Sequence, residues 1–120
     1  MKRLLPILTI VAVLLLLAAP AFAAEDHTCD HSATTIESLQ HCVQHAYDMG
    51  YIAKQGVALT LLAKTSAAQV ALDHGQPQVA IGLLNAFIRE VNAQSGKSIA
   101  TEHAGHLAEH AQNVIKALGG

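Results

Sequence analysis

Tryptophan is absent from this sequence, and only seven of its 120 residues are lysine or arginine. Both shortages argue against nucleic acid as a partner. Beyond Lys2 and Arg3, the basic side chains Lys54, Lys64, Arg89, Lys97 and Lys116 are scattered singly along the chain. No basic stripe is available to track phosphates, and no row of aromatic platforms to stack bases. Catalytic vocabulary is equally scarce. There is no serine in a GxSxG elbow, no glycine-rich phosphate cradle and no HExxH pair. The absence of CxxCH argues against covalently attached c-type haem. No catalytic residue and no nucleotide cofactor is expected, so the chain reads as a non-enzyme. Alternating polar and apolar runs are missing too, which removes the usual signature of half-buried strands.

What is present begins with an export signal. Lys2 and Arg3 form a short positive region, and Leu4 to Ala19 is almost wholly apolar. Ala21-Phe22-Ala23 then places small residues on either side of a bulky one, as a signal peptidase site requires, so cleavage is expected after Ala23. Residues 1–23 are thus read as a signal peptide, 24–33 as an N-terminal arm and 34–118 as one helical domain. Membrane contact is expected only through the uncleaved signal. The remaining chain of about 97 residues is enough for one modest core. Its expected location is periplasmic or secreted.

Export sets the reading of the two cysteines, Cys29 and Cys42. In an oxidising compartment a pair of this kind tends to form a disulfide. Closing so short a loop contributes about 3 kcal/mol in the chain-entropy description. Thiolate ligation of a metal is the alternative use of the same pair.

Helical periodicity accounts for the rest. Thr34 or Thr35 can cap a first helix whose apolar positions Ile36, Leu39, Val43, Ala46 and Met49 recur at three- and four-residue intervals, with Gly50 as the stop. A second is expected from Ile52 or Ala53 to His74, burying Ala58, Leu61, Leu62, Thr65, Ala68 and Leu72, with Gly56 marking a close helix crossing. Pro77 suits the first turn of a third. Its stripe is Ala80, Ile81, Leu84, Phe87, Ile88 and Val91, and Gly96 ends it. Thr101 opens a fourth helix, where Ala104, Leu107, Ala108, Ala111, Val114, Ile115 and Leu118 face inward. The fold class is all-α: a compact four-helix, bundle-like domain.

The stretch LLAKTSAAQVALDHGQPQVAIGLLNAFIREVNAQSGKSI resembles the FIMAH domain family. The strongest matches are Leu61-Leu62 with Lys64, Ala68-Gln69, Leu72-Asp73 before Gly75, Leu84-Asn85-Ala86-Phe87, and Val91-Asn92-Ala93-Gln94 before Gly96-Lys97. The resemblance extends over about residues 36–117. It implies a short all-helical module of the kind attached to secreted or surface-associated bacterial hydrolases and adhesion-type proteins. It carries no catalytic residues with it. Thr65 stands where the family pattern favours leucine, and the Cys/His arm and the histidines of the last helix are not hallmarks of the family.

Those histidines carry the chemistry. Of eight in the chain, all but His74 fall into two stretches, HTCDHSATTIESLQHCVQHA and TEHAGHLAEHAQ. His74 is explained by its favourable position at a helix C-terminus. His41 and His45 are spaced to share one helical face, and His27 and His31 can close over them if the arm folds back. Neutral imidazoles suit copper, zinc or nickel. The first expected metal site is therefore His27, His31, His41 and His45 beside a structural disulfide. If the cysteines are reduced, Cys29 and Cys42 instead join two histidines in a tetrahedral site. His103, His106 and His110 form a second candidate group on one face of the last helix. Because Leu107, Ala111 and Val114 already supply the buried side, these three are expected to face solvent or a partner.

Two functions follow as expectations. The first is a metal-binding protein that buffers, transports or senses copper, zinc or nickel. The alternative is a non-catalytic module binding an envelope protein or glycan. Zinc- or pH-dependent self-association through the histidines of the last helix joins the two.

Overall fold

The computed structural model describes residues 29–120; the expected signal segment and His27 lie outside the described residues. Four helices follow the short arm: α1 (Ile36–Asp48), α2 (Gln55–Asp73), α3 (Pro77–Gln94) and α4 (Thr101–Ala117). Consecutive helices pack together, and α1 also packs on α4, so the bundle closes on itself. No strand occurs among the described residues, and none of their helices is long and apolar enough to cross a membrane. The all-α expectation holds.

The stripes read from the sequence meet in one core. Leu39 and Val43 from α1, Leu61 from α2, Leu84, Phe87 and Val91 from α3, and Leu107 and Val114 from α4 are all buried. Phe87 is the largest of the fully buried side chains. Each large apolar side chain removed from water in this way contributes about 1.5–3 kcal/mol. Thr65 is fully buried at the position where leucine was expected from the family pattern, and it is satisfied locally. Its hydroxyl donates to the Leu62 carbonyl at 2.8 Å, so this buried hydroxyl is not left unpaired.

The helix ends differ in how they are secured. Thr35 caps α1, its side chain accepting from the Ser38 amide at 3.1 Å, and Pro77 occupies the first turn of α3. Gly50 takes a φ of +82° just after α1. That left-handed turn lets the Tyr51 amide donate back to the Ala46 carbonyl at 2.8 Å; glycine adopts such a conformation without a Cβ penalty.

Three details depart from the sequence reading. The second helix begins at Gln55, not at Ile52 or Ala53. Residues before it are taken by an isolated antiparallel bridge between Ile52 and Ile99, both buried. Ala53 donates to the Ser98 carbonyl at 2.8 Å and Ala100 to the Tyr51 carbonyl at 2.9 Å. This clasp ties the α1–α2 connection to the α3–α4 connection and competes successfully with helix for those backbone groups. Gly56 marks no close crossing, since a Cβ there would meet nothing within 4 Å. Met49 is 57% exposed rather than inward, because the chain is already leaving α1 at its cap.

Candidate metal centre

The arm reaches the bundle through a covalent tie and a turn. Cys29 and Cys42 form a disulfide with their Cα atoms 5.1 Å apart. Cys42 is buried in α1, while Cys29 is half-buried. Just beyond the bond, the Asp30 carboxylate accepts from the Ser32 amide at 3.0 Å and from the Ser32 hydroxyl. This is the side-chain turn that Asp and Ser readily make. The Asp30 carbonyl accepts from the Ala33 amide at 3.3 Å and from the Ser38 hydroxyl at 3.4 Å, fastening the turn to the start of α1. The hydrogen bonds from Ser32 hold the Asp30 carboxyl below its ordinary range.

His31, fixed between these anchors, faces α4. Its Nδ1 lies 3.6 Å from Cys29 Sγ. Its ring centroid is 5.1 Å from that of His106 and 5.5 Å from that of His110, the latter edge to face. His103 continues the row, 5.8 Å from His106, and lies flat against Tyr51 with ring centroids 3.5 Å apart and planes 14° from parallel. Tyr51 is put there by the Ile52–Ile99 clasp. A cavity of ≈ 200 Å³ opens among these groups, lined by Cys29, His31, Cys42, His45, Tyr51 and His103 together with Ala46 and Leu107.

His110 is the anomaly of the fold. It is 0% exposed, and among the described residues its two ring nitrogens are the only buried side-chain polar atoms lacking a hydrogen-bond partner. An unpartnered buried polar group costs about 1–3 kcal/mol, so its presence calls for a reason. One ligating atom from each of Cys29, His31, Cys42 and His110 lies within 4.8 Å of every other. Burial, and next the nearby His31, lower the pKa of the His110 imidazole; the Ala33 backbone and the Asp30 carboxylate only partly oppose this. Burial, followed by His106 and His103, lowers that of His31 as well, against Asp30 and Glu109. Both rings therefore keep a lone pair available to lower pH than an ordinary imidazole does.

The solvent-facing expectation for the last helix is corrected here. His110 is fully buried, and His103 and His106 are half-buried. The cause is the arm, which packs over this face and supplies His31. A signal was present in the sequence: His103, Leu107, His110 and Val114 follow one another at intervals of four, three and four, the seam of a heptad. The two histidine stretches thus meet, but with different members from those expected. His45 lines the cavity, whereas His41 is exposed and is not brought to it. His74 is exposed at the end of α2, its Nδ1 2.8 Å from the Val70 carbonyl.

Fold and site together define a disulfide-tied, all-helical module with a histidine-lined cavity between its arm and its last helix. The FIMAH domain model matches residues 36–116. The chain belongs to the FIMAH domain family. Comparison with curated proteins and with solved structures finds no match for it.

Proposed function

We propose that this chain is an exported, non-catalytic metal-binding protein that buffers, carries or senses copper, zinc or nickel in the periplasm or outside the cell. The observation that carries this reading is His110: a fully buried imidazole with no hydrogen-bond partner, set against His31 from the other end of the domain. A metal ion accounts for both facts. It would take the orphaned lone pair and draw a second imidazole from the arm, with His106 next in reach and His103 and His45 on the surrounding walls. Imidazole donors of this kind fit divalent copper, zinc and nickel, while hard cations prefer oxygen ligands.

Native mass spectrometry and calorimetric titration of the disulfide-bonded protein with Cu(II), Zn(II) and Ni(II) test the reading. One equivalent of at least one of these ions is expected to bind. Replacing both His31 and His106 by alanine should weaken binding by at least about tenfold, since even indirect partners of a ligand matter that much. Equal affinity in the double variant would remove the site from this part of the molecule.

A second reading rests on family membership and on the outer face of α2. Leu59 and Val70 are 57% and 54% exposed and stand eleven residues apart, which on a helix is the same face. This apolar stripe suits an accessory module that binds an envelope protein or glycan. Crosslinking in the native envelope, compared between the wild type and a Leu59→Glu/Val70→Glu variant, distinguishes it. A partner captured equally by both would dismiss this face.

A further inference from the structure

The geometry points to a redox-gated ligand set at this site, in which reduction of the Cys29–Cys42 disulfide creates a tetrahedral zinc site from Cys29, Cys42, His31 and His110. It rests on the reading of His31 and His110 as a ligand pair, and adds what the sulfur atoms do.

Three observations converge. The four ligating atoms already lie within 4.8 Å of one another, from the arm, α1 and α4. Two sulfur and two imidazole donors are a common set for a closed zinc site, and tetrahedral zinc holds its ligands at about 2.0–2.3 Å. Drawing the sulfurs to either side of such an ion requires them to separate to roughly 3.8 Å, which side-chain rotation achieves between Cα atoms 5.1 Å apart. Charge is the second point. Two thiolates neutralise a divalent ion, and neutrality matters at a place where Cys42 and His110 are 1% and 0% exposed. The third is His110 itself, whose buried ring nitrogens have no hydrogen-bond partner, with one of them within 4.8 Å of both sulfurs and of a His31 nitrogen.

The chemistry balances with an external dithiol as reductant. Its thiolate attacks Cys29 Sγ, the half-buried sulfur that lines the cavity, and forms a mixed disulfide there. Cys42 leaves as a thiolate. The second thiol of the reductant then resolves the mixed disulfide, departing as a cyclic or protein disulfide with two electrons lost. Two thiols remain on the protein. Zinc binding displaces their two protons and engages His31 and His110 through neutral nitrogens. Reoxidation by a disulfide runs the sequence backwards, reforms the Cys29–Cys42 bond and expels the ion. Reduced protein holds zinc; oxidised protein surrenders the sulfur half of the site.

Titration of the full-length mature protein with Co(II) and then Zn(II) tests the gate, comparing the oxidised form with protein reduced by a dithiol that is removed anaerobically. Reduced protein should bind one Co(II) with a near-ultraviolet thiolate-to-metal band and tetrahedral visible bands, and Zn(II) should displace it. The oxidised form should show no thiolate band and bind Zn(II) at least a hundredfold more weakly. His31→Ala should weaken zinc binding to the reduced protein, and Cys29→Ser should abolish the difference between the two forms while far-ultraviolet dichroism reports an intact bundle. If oxidised protein binds metal and reduction changes neither affinity nor spectrum, the gate is wrong while the imidazole site stands. A thiolate band in reduced protein with no binding to the oxidised form keeps the gate and removes the imidazole-only site. Failure of both forms to bind overturns both.

Discussion

The ring of His31 meets that of His110 edge to face at 5.5 Å, although one comes from the arm and the other from the interior of the last helix. The contact joins the two histidine stretches of the chain across the Cys29–Cys42 disulfide. It also leaves His110 sealed from solvent without a hydrogen-bond partner.

Such a residue is retained at the expense of stability, which yields a first expectation. In metal-free protein, His110→Leu should raise the free energy of unfolding by about 1 kcal/mol or more, because the substitution removes an orphaned polar group while filling a similar volume. Metal binding should fall in the same variant. Urea melts of the two apo proteins decide the matter; a loss of stability in the variant would mean that His110 is satisfied in the folded protein.

The disulfide should matter for stability independently of any metal. Cys29→Ser opens a loop whose ends are 13 residues apart in sequence, and a stability loss of about 3 kcal/mol is expected for a loop of this size. The loss should be confined to the arm and α1 in hydrogen exchange. Uniform exchange throughout the bundle would show that the arm is integral to its cooperativity.

Acid should destabilise the apo protein in a defined window. His31 and His110 both have native pKa values below that of an unfolded histidine, chiefly because of burial. Between the unfolded value, about 6.5, and the lower native ones, the unfolded chain binds protons that the native chain refuses. The stability these rings contribute is therefore complete above the unfolded pKa and is lost as pH falls through the native values. Asp30, also lowered, adds a separate loss below the ordinary carboxylate range. Thermal melts across pH 7 to 5 (the interval bracketing about 6.5) should show a falling midpoint in the wild type and a flatter profile in His31→Ala. Parallel profiles would assign the dependence elsewhere.

Tyr51 holds His103 by a flat stack at 3.5 Å. Tyr51→Ala should free that ring and shift its proton resonances away from the ring-current position, with a loss of about 0.5–1.5 kcal/mol from the aromatic pair alone. Unchanged His103 resonances would show that the stack is not populated in solution.

The helices were legible because their cause is local and periodic. Thr35, Pro77 and Thr101 lie at or beside helix starts, and the stripes from Ile36 to Ala46 and from Ala80 to Val91 follow the spacing of one buried face. The disulfide was legible for a different reason: the chain offers only one cysteine pair. Ile52 was misassigned to a helix because its bridge to Ile99 is a long-range pairing that no local pattern records.

The site shows the same division. Composition alone singled out histidine and cysteine as the candidate ligands, and helical spacing determined that His103, His106 and His110 would share a face. Which way that face points depended on what covers it. Only the tertiary structure folds the arm onto α4, burying His110, recruiting His31 and leaving His41 outside. A helix's own pattern specifies its faces relative to one another, while burial is settled by the neighbour that arrives from elsewhere in the chain.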